Sequence, residues 1–349
     1  MHKVLVVVDM QHDFIDGVLG TPEAVAIVDK IAQRVAEVRG ELVLFTQDTH
    51  GDNYLDTLEG KKLPIPHCIK NTHGWVIHPE IFDAWHNNPD TMVVAGIDAV
   101  VDNTFHKSVF GSVDLINFLQ ARQNQLTEVE FVGVCTDICV VSNAIMTKNV
   151  MPDIKITVNA DLCAGTTPQS HMEALNIMEK CHINIYKTIY LASGCFWGVE
   201  KYFSLQNGIV STEVGYANGT TQNPTYEDVC KGDTGFAEVV KVVYDSSQID
   251  LLGVLAHFYE VVNPTTGDRQ GPDVGSQYRP GIYFTNTAEE TLIANSLTEL
   301  QKSYKDPIVV ENLPLQNYYK AEEYHQKYLD KNPGGFCHIP EEKLIQQDL

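Results

Sequence analysis

Cys195 lies where an apolar run meets the start of a predicted helix, within the sequence TIYLASGCFWGVE at residues 188–200. Residues 188–192 have strand character, and residues 196–205 place apolar and aromatic side chains on one face of a helix. Free backbone N–H groups and the positive end of the helix dipole favour the thiolate over the thiol at such a position. Cys195 is therefore a candidate nucleophile, with a small buried packing cysteine as the alternative interpretation.

Three kinds of residue in the second half of the chain could act with such a thiolate. Glu238 lies in a hydrophobic strand-like run, where burial raises the pKa of a carboxyl group and suits it to proton donation. Tyr226 and Tyr278 carry hydroxyl groups on loop-like segments and could polarise an oxygen atom. Cys337 lies in a Gly-containing tail, where a mobile second thiol could convert a sulfenic acid into a disulfide. The ordinary alternatives are packing tyrosines, an ion-paired glutamate and an uninvolved cysteine.

A second reactive set lies in the first half of the chain. Asp9 closes the first apolar run, Lys107 lies in the irregular segment TFHKSVFG, and Cys139 follows a later apolar run within GVCTDICV. An ammonium group beside a thiol lowers the pKa of the thiol, and a carboxylate can carry a proton to a leaving amine. Each residue alone also has an ordinary role, as a turn aspartate, a solvated lysine or a packing cysteine.

Potential metal ligands follow the second apolar run and the loop after it. Four residues form the candidate set: Asp48, His50, Glu59 and His67. Two imidazoles and two carboxylates suit a borderline divalent ion such as zinc, manganese or iron, with positions left open. Spacing alone is weak support, because Asp and His are common in loops. Three further residues could compete as ligands: Asp52, His73 and His78.

The elements that must position the first-half residues alternate between strands and helices. Runs rich in β-branched residues predict strands at residues 3–10, 41–48, 91–97, 128–135, 155–160 and 183–187. Amphipathic stretches predict helices at residues 22–38, 113–122, 138–149 and 169–180. This alternation indicates an α/β fold with a doubly wound, mainly parallel sheet, whose ligands bind at the carboxyl ends of the strands.

The second half has a different order of elements. Strands are predicted at residues 209–216, 237–244 and 281–285, and helices at residues 196–205, 226–230, 251–262 and 288–302, before a polar tail. This order predicts an α+β two-layer domain. The chain has no Pro/Gly/Ser-rich linker at its centre, so we expect two adjoining domains, residues 1–186 and 187–349.

Composition limits the class of protein. A net charge of −22 disfavours a phosphate-backbone partner, so we expect no nucleic-acid binding. The sequence has no window near the ~20 apolar residues of a membrane span, and its start lacks the small-residue cleavage site of a secretory signal. Eight irregularly spaced cysteines in 349 residues indicate reduced thiols. We therefore expect a cytoplasmic protein without a membrane partner.

The motifs VVDMQHDF, HKSVF and GVCTDICV resemble those of the isochorismatase-like cysteine hydrolases, most closely the nicotinamidase/pyrazinamidase branch, from the first strand to about residue 186. The resemblance implies that Cys139 is a nucleophile that forms a thioester, Asp9 the general base and acid, and Lys107 the activating cation. It also implies an oxyanion hole formed by the backbone N–H groups of Cys139 and Cys135, with a cis peptide bond between Val134 and Cys135.

The same resemblance extends to the candidate metal ligands. Nicotinamidases carry an Asp-x-His pair, a further carboxylate or histidine and then a histidine, and this sequence is similar at Asp48, His50, Glu59 and His67. It implies a divalent ion that holds the pyridine nitrogen of the substrate, with Phe14, and less directly Trp75, lining the ring pocket. A metal set beside a cysteine favours nicotinamide over isochorismate, which has no amide to attack.

An ordered series of motifs across the second half resembles peptide methionine sulfoxide reductase of the A type: GCFWGVE, VGYANG, NPTYEDVCKG, TGFAEVV, NPTTGDRQGPDVGSQYR and AEEYHQKYL. The resemblance implies that Cys195 attacks the sulfoxide sulfur and becomes a sulfenic acid while Glu238 donates a proton. The implied supporting residues are Tyr226, Tyr278 and Asp273, with Phe196 and Trp197 as the apolar wall for the substrate methyl group. Cys337 then forms a disulfide that thioredoxin reduces, without a cofactor.

Two positions depart from the reductase pattern. Phe236 stands where the family usually has a histidine, two residues before Glu238, which predicts a more apolar environment and a raised pKa for that carboxyl group. Cys337 is the one cysteine of the tail, which disfavours a relay through a third thiol, and Cys230 is interpreted as structural.

The sequence as a whole predicts a bifunctional enzyme. The first half is expected to hydrolyse nicotinamide to nicotinate and ammonia, and the second to reduce methionine S-sulfoxide, free or in oxidised proteins. Two alternatives remain for the first half: a non-catalytic binding or scaffold module, and a hydrolase of another small amide. The intact Cys–Asp–Lys set favours an active hydrolase.

Overall fold

The computed structural model of the protein describes residues 2–91, 103–335 and 339–344, and the chain divides into two compact units, residues 1–186 and 187–349. Within the described part, none of the helices combines the length and the apolar character needed to cross a bilayer. Each unit has its own hydrophobic core.

The first unit is built on a parallel sheet. Its strands are β1 (His2–Val8), β2 (Leu42–Asp48), β3 (Thr104–Lys107), β4 (Leu126–Val134), β5 (Lys155–Ala164) and the first residues of β6 (Asn184–Ala192). Their order is 3-2-1-4-5-6, and every pairing between neighbours is parallel. The predicted doubly wound sheet is confirmed. The order reverses between β1 and β4, which is where such sheets bind ligands.

Helices cover both faces of this sheet. Their bounds are α1 (His12–Ile15), α2 (Pro22–Ala26), α3 (Val28–Ala36), α4 (Leu58–Lys62), α5 (Pro79–His86), α6 (Val113–Gln120), α7 (Val141–Val150) and α8 (Pro168–Lys180). Alternate residues of β1 enter different cores: Val4 and Val6 lie in the core with Leu115, whereas Leu5 lies in the core with Ile31. Burial on both faces explains the uninterrupted apolar runs of the sequence.

Several predicted boundaries differ from the structure. The single helix expected at residues 22–38 is two helices, α2 and α3, that meet at Ile27. Helices α4 and α5 were not predicted, since they have only five and eight residues. The strand expected at residues 91–97 falls almost entirely on residues 92–97, outside the described part. Residues 104–107, expected to be irregular, form β3, which pairs with β2.

The second unit has a mixed sheet. Its strands are the last residues of β6, β7 (Ile209–Ala217), β8 (Ala237–Asp245), β11 (Gly281–Phe284), β12 (Glu311–Pro314) and β13 (Tyr318–Lys320), in the order 13-7-8-6-11-12, with a separate hairpin of β9 (Arg269–Gln270) and β10 (Asp273–Val274). The pairs β7–β8, β13–β7 and β6–β11 are antiparallel, and β11–β12 is parallel. This mixture agrees with the predicted α+β class.

The helices of the second unit are α9 (Phe196–Ser204), α10 (Tyr226–Cys230), α11 (Leu251–Val261), α12 (Glu290–Gln301) and α13 (Tyr328–Lys331). Residues of α9, α11 and α12 share one core with β7 and β8, including Phe203, Phe258 and Ile293. The tail after α12, expected to be only polar, forms the short strands β12 and β13. These strands are too short to show an alternating pattern, and β12 also ends in a proline.

Candidate active sites

The switch point of the parallel sheet brings the three predicted hydrolase residues together. Asp9 directly follows β1, Lys107 ends β3, and Cys139 lies in a wide helical turn, Thr136–Val140, that follows β4. The Lys107 Nζ atom lies 2.6 Å from Asp9 Oδ2 and 3.5 Å from Cys139 Sγ. All three residues are buried. The fold thus forms a thiol, ammonium and carboxylate group from residues that are 130 positions apart in the chain.

The environment decides the protonation of this group. Burial raises the pKa of the Cys139 thiol well above its ordinary value, although the charge of Lys107 opposes the shift. Burial also raises the pKa of Asp9 in spite of the nearby ammonium, which makes its carboxylate a stronger base than an exposed aspartate. The Cys139 side chain is therefore a thiol at rest, and it would need a neighbouring base to become a nucleophile.

Backbone geometry supports the same site. The peptide bond between Val134 and Cys135 is cis, as the resemblance implied. Asp9 has a φ of +48°, and its carboxylate accepts a 2.8 Å hydrogen bond from Thr46 Oγ1. Both Cys135 and Cys139 line a cavity of about 680 Å³. That volume is in the range of small-molecule pockets.

Three of the four predicted metal ligands lie on the same cavity, and the fourth, His50, lies beside them. Asp48, Glu59 and His67 line its wall together with Phe14, which lies 5.5 Å from the ring of His67. The nearest oxygen of Asp48 lies 3.0 Å from His50 Nε2 and 3.6 Å from His67 Nε2. Glu59 Oε1 lies 4.0 Å from His50 Nε2 and 3.9 Å from His67 Nε2.

This donor set fits a divalent cation. The Nδ1 atom of His67 lies 2.9 Å from the carbonyl oxygen of Ile65, so it is placed to donate there and leaves Nε2 as a lone-pair donor toward Asp48. Burial disfavours the charged imidazole of His50, yet contact with Asp48 and the charge of Glu59 raise its pKa overall. Such negative surroundings favour a bound cation.

The residues considered as competing ligands lie elsewhere. Asp52 is exposed, and the ring of His73 lies 4.0 Å from that of His12, while His78 belongs to a separate group with His12 and Asp16. Trp75, considered as a second pocket aromatic, donates its indole N–H to Thr49 Oγ1 at 2.8 Å.

Sequence reasoning missed a residue that holds the two strand ends together. The buried side chain of Gln11 donates to the carbonyl oxygen of Asp48 at 2.8 Å and accepts from the N–H of Asp48 at 2.7 Å. These bonds therefore hold the end of β2, at Asp48, against the end of β1, which Asp9 directly follows. Gln11 lies inside the motif VVDMQHDF, but nothing in the sequence separates it from its neighbours.

The reductase residues meet at the start of α9. Cys195 is the N-cap residue of this helix and is 8% exposed. The next backbone N–H, that of Phe196, donates a 3.1 Å hydrogen bond to Glu238 Oε2 in β8. The carboxyl group of Glu238 thus lies beside the helix end that carries the thiol, and its side chain is 1% exposed.

Burial sets the protonation of this carboxyl group. It raises the pKa of Glu238 to about 8, helped by the charge of Asp273 and opposed by the hydrogen bond from Phe196. Burial followed by the charges of Glu238 and Cys195 raises the pKa of Tyr278, and burial followed by the charge of Glu238 raises that of Tyr226. Both hydroxyl groups therefore stay protonated near neutral pH and can donate hydrogen bonds at the site.

The aromatic residues after Cys195 are held by a histidine that sequence reasoning missed. Trp197 donates its indole N–H to His325 Nδ1 at 3.0 Å and stacks on Tyr328 at 3.8 Å, while Phe196 lies 5.2 Å from the ring of His325. His325 is 1% exposed and lies inside the motif AEEYHQKYL. Their role as a wall for the substrate methyl group stays a prediction.

The structure describes one of the two thiols considered for recycling of Cys195. Cys337 lies outside the described residues. Cys230 is exposed at the end of α10, and a hydrogen bond from Tyr226 partly offsets the rise in its thiol pKa caused by burial. Its interpretation as structural stays a prediction.

Comparison with known proteins finds a family for each unit. Residues 187–348 match the family described as peptide methionine sulfoxide reductase, and residues 3–188 match the family described as isochorismatase domain. Peptide methionine sulfoxide reductase MsrA of Clostridium perfringens (strain 13 / Type A) is 61% identical over 153 residues, which cover 44% of this chain and 98% of that protein.

Solved structures similar to the first unit include two amidases. Nicotinamidase/pyrazinamidase PncA from Bacillus subtilis is 24% identical, with a TM-score of 0.44 over 53% of this chain and 99% of that chain. Pyrazinamidase of Pyrococcus horikoshii in complex with zinc is 26% identical, with a TM-score of 0.41 over 53% of this chain and 98% of that chain.

Fold, site geometry and family matches together define two enzyme domains of different chemistry, one a hydrolase and one a reductase. The chain belongs to the isochorismatase family through residues 3–188 and to the peptide methionine sulfoxide reductase family through residues 187–348.

Proposed function

We propose that the first domain, residues 1–186, hydrolyses nicotinamide to nicotinate and ammonia, and that the second, residues 187–349, reduces methionine S-sulfoxide, free or in oxidised proteins. The observation that supports the amidase is that Cys139, which contacts the Lys107–Asp9 pair, lines the same cavity as Asp48 and His67 of the donor set.

In the amidase, Asp9 takes the proton of Cys139 as the sulfur attacks the carboxamide carbon. Lys107 stays charged, because the charges of Asp9 and Cys139 outweigh its burial and raise its pKa. Backbone N–H groups of Cys135 and Cys139 stabilise the oxyanion. Asp9 then returns the proton to the leaving nitrogen, ammonia departs, and water hydrolyses the thioester with Asp9 again as the base.

Four residues would hold the metal ion: Asp48, His50, Glu59 and His67. When bound, the ion would act as a Lewis acid toward the pyridine nitrogen of the substrate. Phe14 lines the cavity beside this set and offers an apolar face to a ring. Together they would place the carboxamide toward Cys139.

A panel of small amides tests the amidase proposal. We expect ammonia release from nicotinamide by the full-length protein and none by Cys139→Ala. Release from another amide only would identify a different substrate, and no release from any amide, in protein loaded with zinc, manganese or iron, would support a binding module instead.

In the reductase, Cys195 attacks the sulfoxide sulfur as a thiolate while Glu238 donates its proton to the sulfoxide oxygen. The S–O bond of the substrate then breaks as the oxygen is transferred to the Cys195 sulfur, so methionine leaves and Cys195 becomes a sulfenic acid. Tyr226 and Tyr278 donate hydrogen bonds to the same oxygen, and Asp273 keeps Glu238 protonated through its charge. The supporting observation is the contact between Glu238 and the N–H that follows Cys195.

Recycling of Cys195 uses a second thiol. The thiol of Cys337 attacks the sulfenic sulfur and releases water, and the two electrons needed to reopen the disulfide come from the dithiol of thioredoxin. This chemistry requires a reducing compartment such as the cytoplasm, and none of the described cysteines forms a disulfide.

The two domains provide matched controls for each other. Cys195→Ala is expected to abolish formation of methionine from its S-sulfoxide and to leave ammonia release unchanged, whereas Cys139→Ala is expected to do the reverse. Loss of both activities in either variant would contradict the assignment of one activity to each domain.

A further inference from the structure

A second group of metal-binding side chains lies in the first unit, apart from the donor set on the cavity. His12 and Asp16 are one helical turn apart at α1, and His78 begins α5. One donor atom from each of the three lies within 4.8 Å of the other two. The His12 Nδ1 atom lies 2.9 Å from Asp16 Oδ1.

Backbone hydrogen bonds hold the two segments of this group in place. The N–H of His12 donates to the carbonyl oxygen of Val76 at 3.1 Å, and the N–H of His78 donates to the carbonyl oxygen of Met10 at 2.8 Å. The ring of His73 packs on that of His12, with 4.0 Å between centroids. The two histidines are therefore held in place before an ion binds, which lowers the entropic cost of binding.

One donor of the group has a lone pair or proton without a partner. The Nδ1 atom of His78 is buried and makes no hydrogen bond to any described residue. An imidazole nitrogen in this state loses its bonds to water without compensation. A metal ion bound through Nδ1 would satisfy it, whereas the contact between His12 and Asp16 leaves it unsatisfied.

We propose that His12, Asp16 and His78 form a second site for a divalent transition-metal ion such as Zn²⁺. Two imidazoles and one carboxylate are a common zinc donor set, and the exposed side of Asp16 leaves room for water as a further ligand. The ion would join α1, which carries the cavity residue Phe14, to the segment that leads into α5. It would therefore stabilise one wall of the cavity without contact with the substrate.

Zinc content measures this site directly. The full-length protein is stripped with a chelator, dialysed against Zn²⁺ and then against buffer, and its zinc is measured by elemental analysis. We expect Asp16→Ala and His78→Ala each to bind one zinc ion per chain fewer than the wild type. His86→Ala, which removes an exposed histidine from the same helix as His78, is the control and should keep the wild-type content.

The variant His50→Ala separates zinc binding at the proposed second site from zinc binding at the donor set on the cavity. This variant should still bind one zinc ion, and Zn²⁺ should raise its melting temperature. Combining His50→Ala with Asp16→Ala should abolish both effects. Zinc content that is unchanged by Asp16→Ala and His78→Ala, or lowered equally by His86→Ala, would overturn the proposal. Because Asp16 is exposed, its variant tests the site even if His78→Ala fails to fold.

Discussion

Replacing Glu238 by glutamine should separate its role as a proton donor from its role as a hydrogen-bond acceptor. Glutamine has nearly the same shape and can still accept the 3.1 Å hydrogen bond from the N–H of Phe196, but it does not titrate. The substitution therefore removes the proton and leaves the packing around α9 in place.

The magnitude follows from the pKa of about 8, against an ordinary value of 4.5. At about pH 7, a carboxyl group with the raised pKa is roughly nine-tenths protonated, some 300-fold more than with the ordinary value. A positioned general acid typically contributes about 10²–10⁴ in rate. We expect Glu238→Gln to slow sulfoxide reduction by about that factor, and the wild-type rate to fall about tenfold per pH unit above pH 8.

The same substitution that slows the reaction should favour the folded state at high pH. Because the folded pKa of Glu238 is raised, the folded protein binds the proton more tightly than the unfolded chain. Its contribution to stability is fully present below about pH 4.5 and is lost as the pH rises through about 8, with a total on the order of 5 kcal/mol. Relative to the wild type, Glu238→Gln should therefore gain stability as the pH rises from about 6 to 9.5.

The assay is single-turnover formation of methionine from its S-sulfoxide, without thioredoxin, across this pH range, together with thermal unfolding of both proteins. Titration of a thiol to a thiolate raises the rate with pH, so it cannot produce the expected alkaline fall. A wild-type rate that stays constant above pH 8, or a fall of equal size in Glu238→Gln, would refute the reasoning.

Three further predictions concern other parts of the two sites. Phe236→His should lower the pKa of Glu238 and move the alkaline fall in rate to lower pH, and an unchanged profile would contradict the effect assigned to Phe236. Cys337→Ser should stop turnover with thioredoxin but keep the single-turnover step, with Cys230→Ser as its matched control; the reverse pattern would assign recycling to Cys230. His50→Ala should lose the metal ion held with Asp48, Glu59 and His67 and raise the KM for nicotinamide, with sulfoxide reduction as the internal control. A metal content equal to that of the wild type would exclude His50 as a ligand.

Much of the fold could be predicted because burial leaves a simple pattern in the sequence. Strand β1 and the first four residues of β2 are covered on both faces, so they appear as continuous apolar runs. The strands β12 and β13 have three or four residues and partly exposed side chains, so no periodicity marks them. The break between α2 and α3 at Ile27 is likewise invisible, since the apolar residues continue through it.

The candidate sites were predictable to the extent that their residues carry reactive groups. Asp9, Lys107 and Cys139 could be named from motifs, but the 2.6 Å contact between Asp9 and Lys107 depends on which strands are neighbours. Gln11 and His325 were missed because they act through hydrogen bonds to other residues. An amide or imidazole of this kind has no chemical signature in the sequence, and its role is visible only when its partners are placed.

The two domains place a buried carboxyl group beside a cysteine for opposite purposes. Burial raises the pKa of both Asp9 and Glu238, so desolvation alone does not decide which is the base and which is the acid. The neighbours decide it, because the ammonium of Lys107 at 2.6 Å favours the carboxylate of Asp9, whereas the charge of Asp273 favours the protonated form of Glu238. Asp9 is therefore suited to accept the proton of a buried thiol, and Glu238 is suited to supply a proton beside a cysteine that lies at a helix N-terminus.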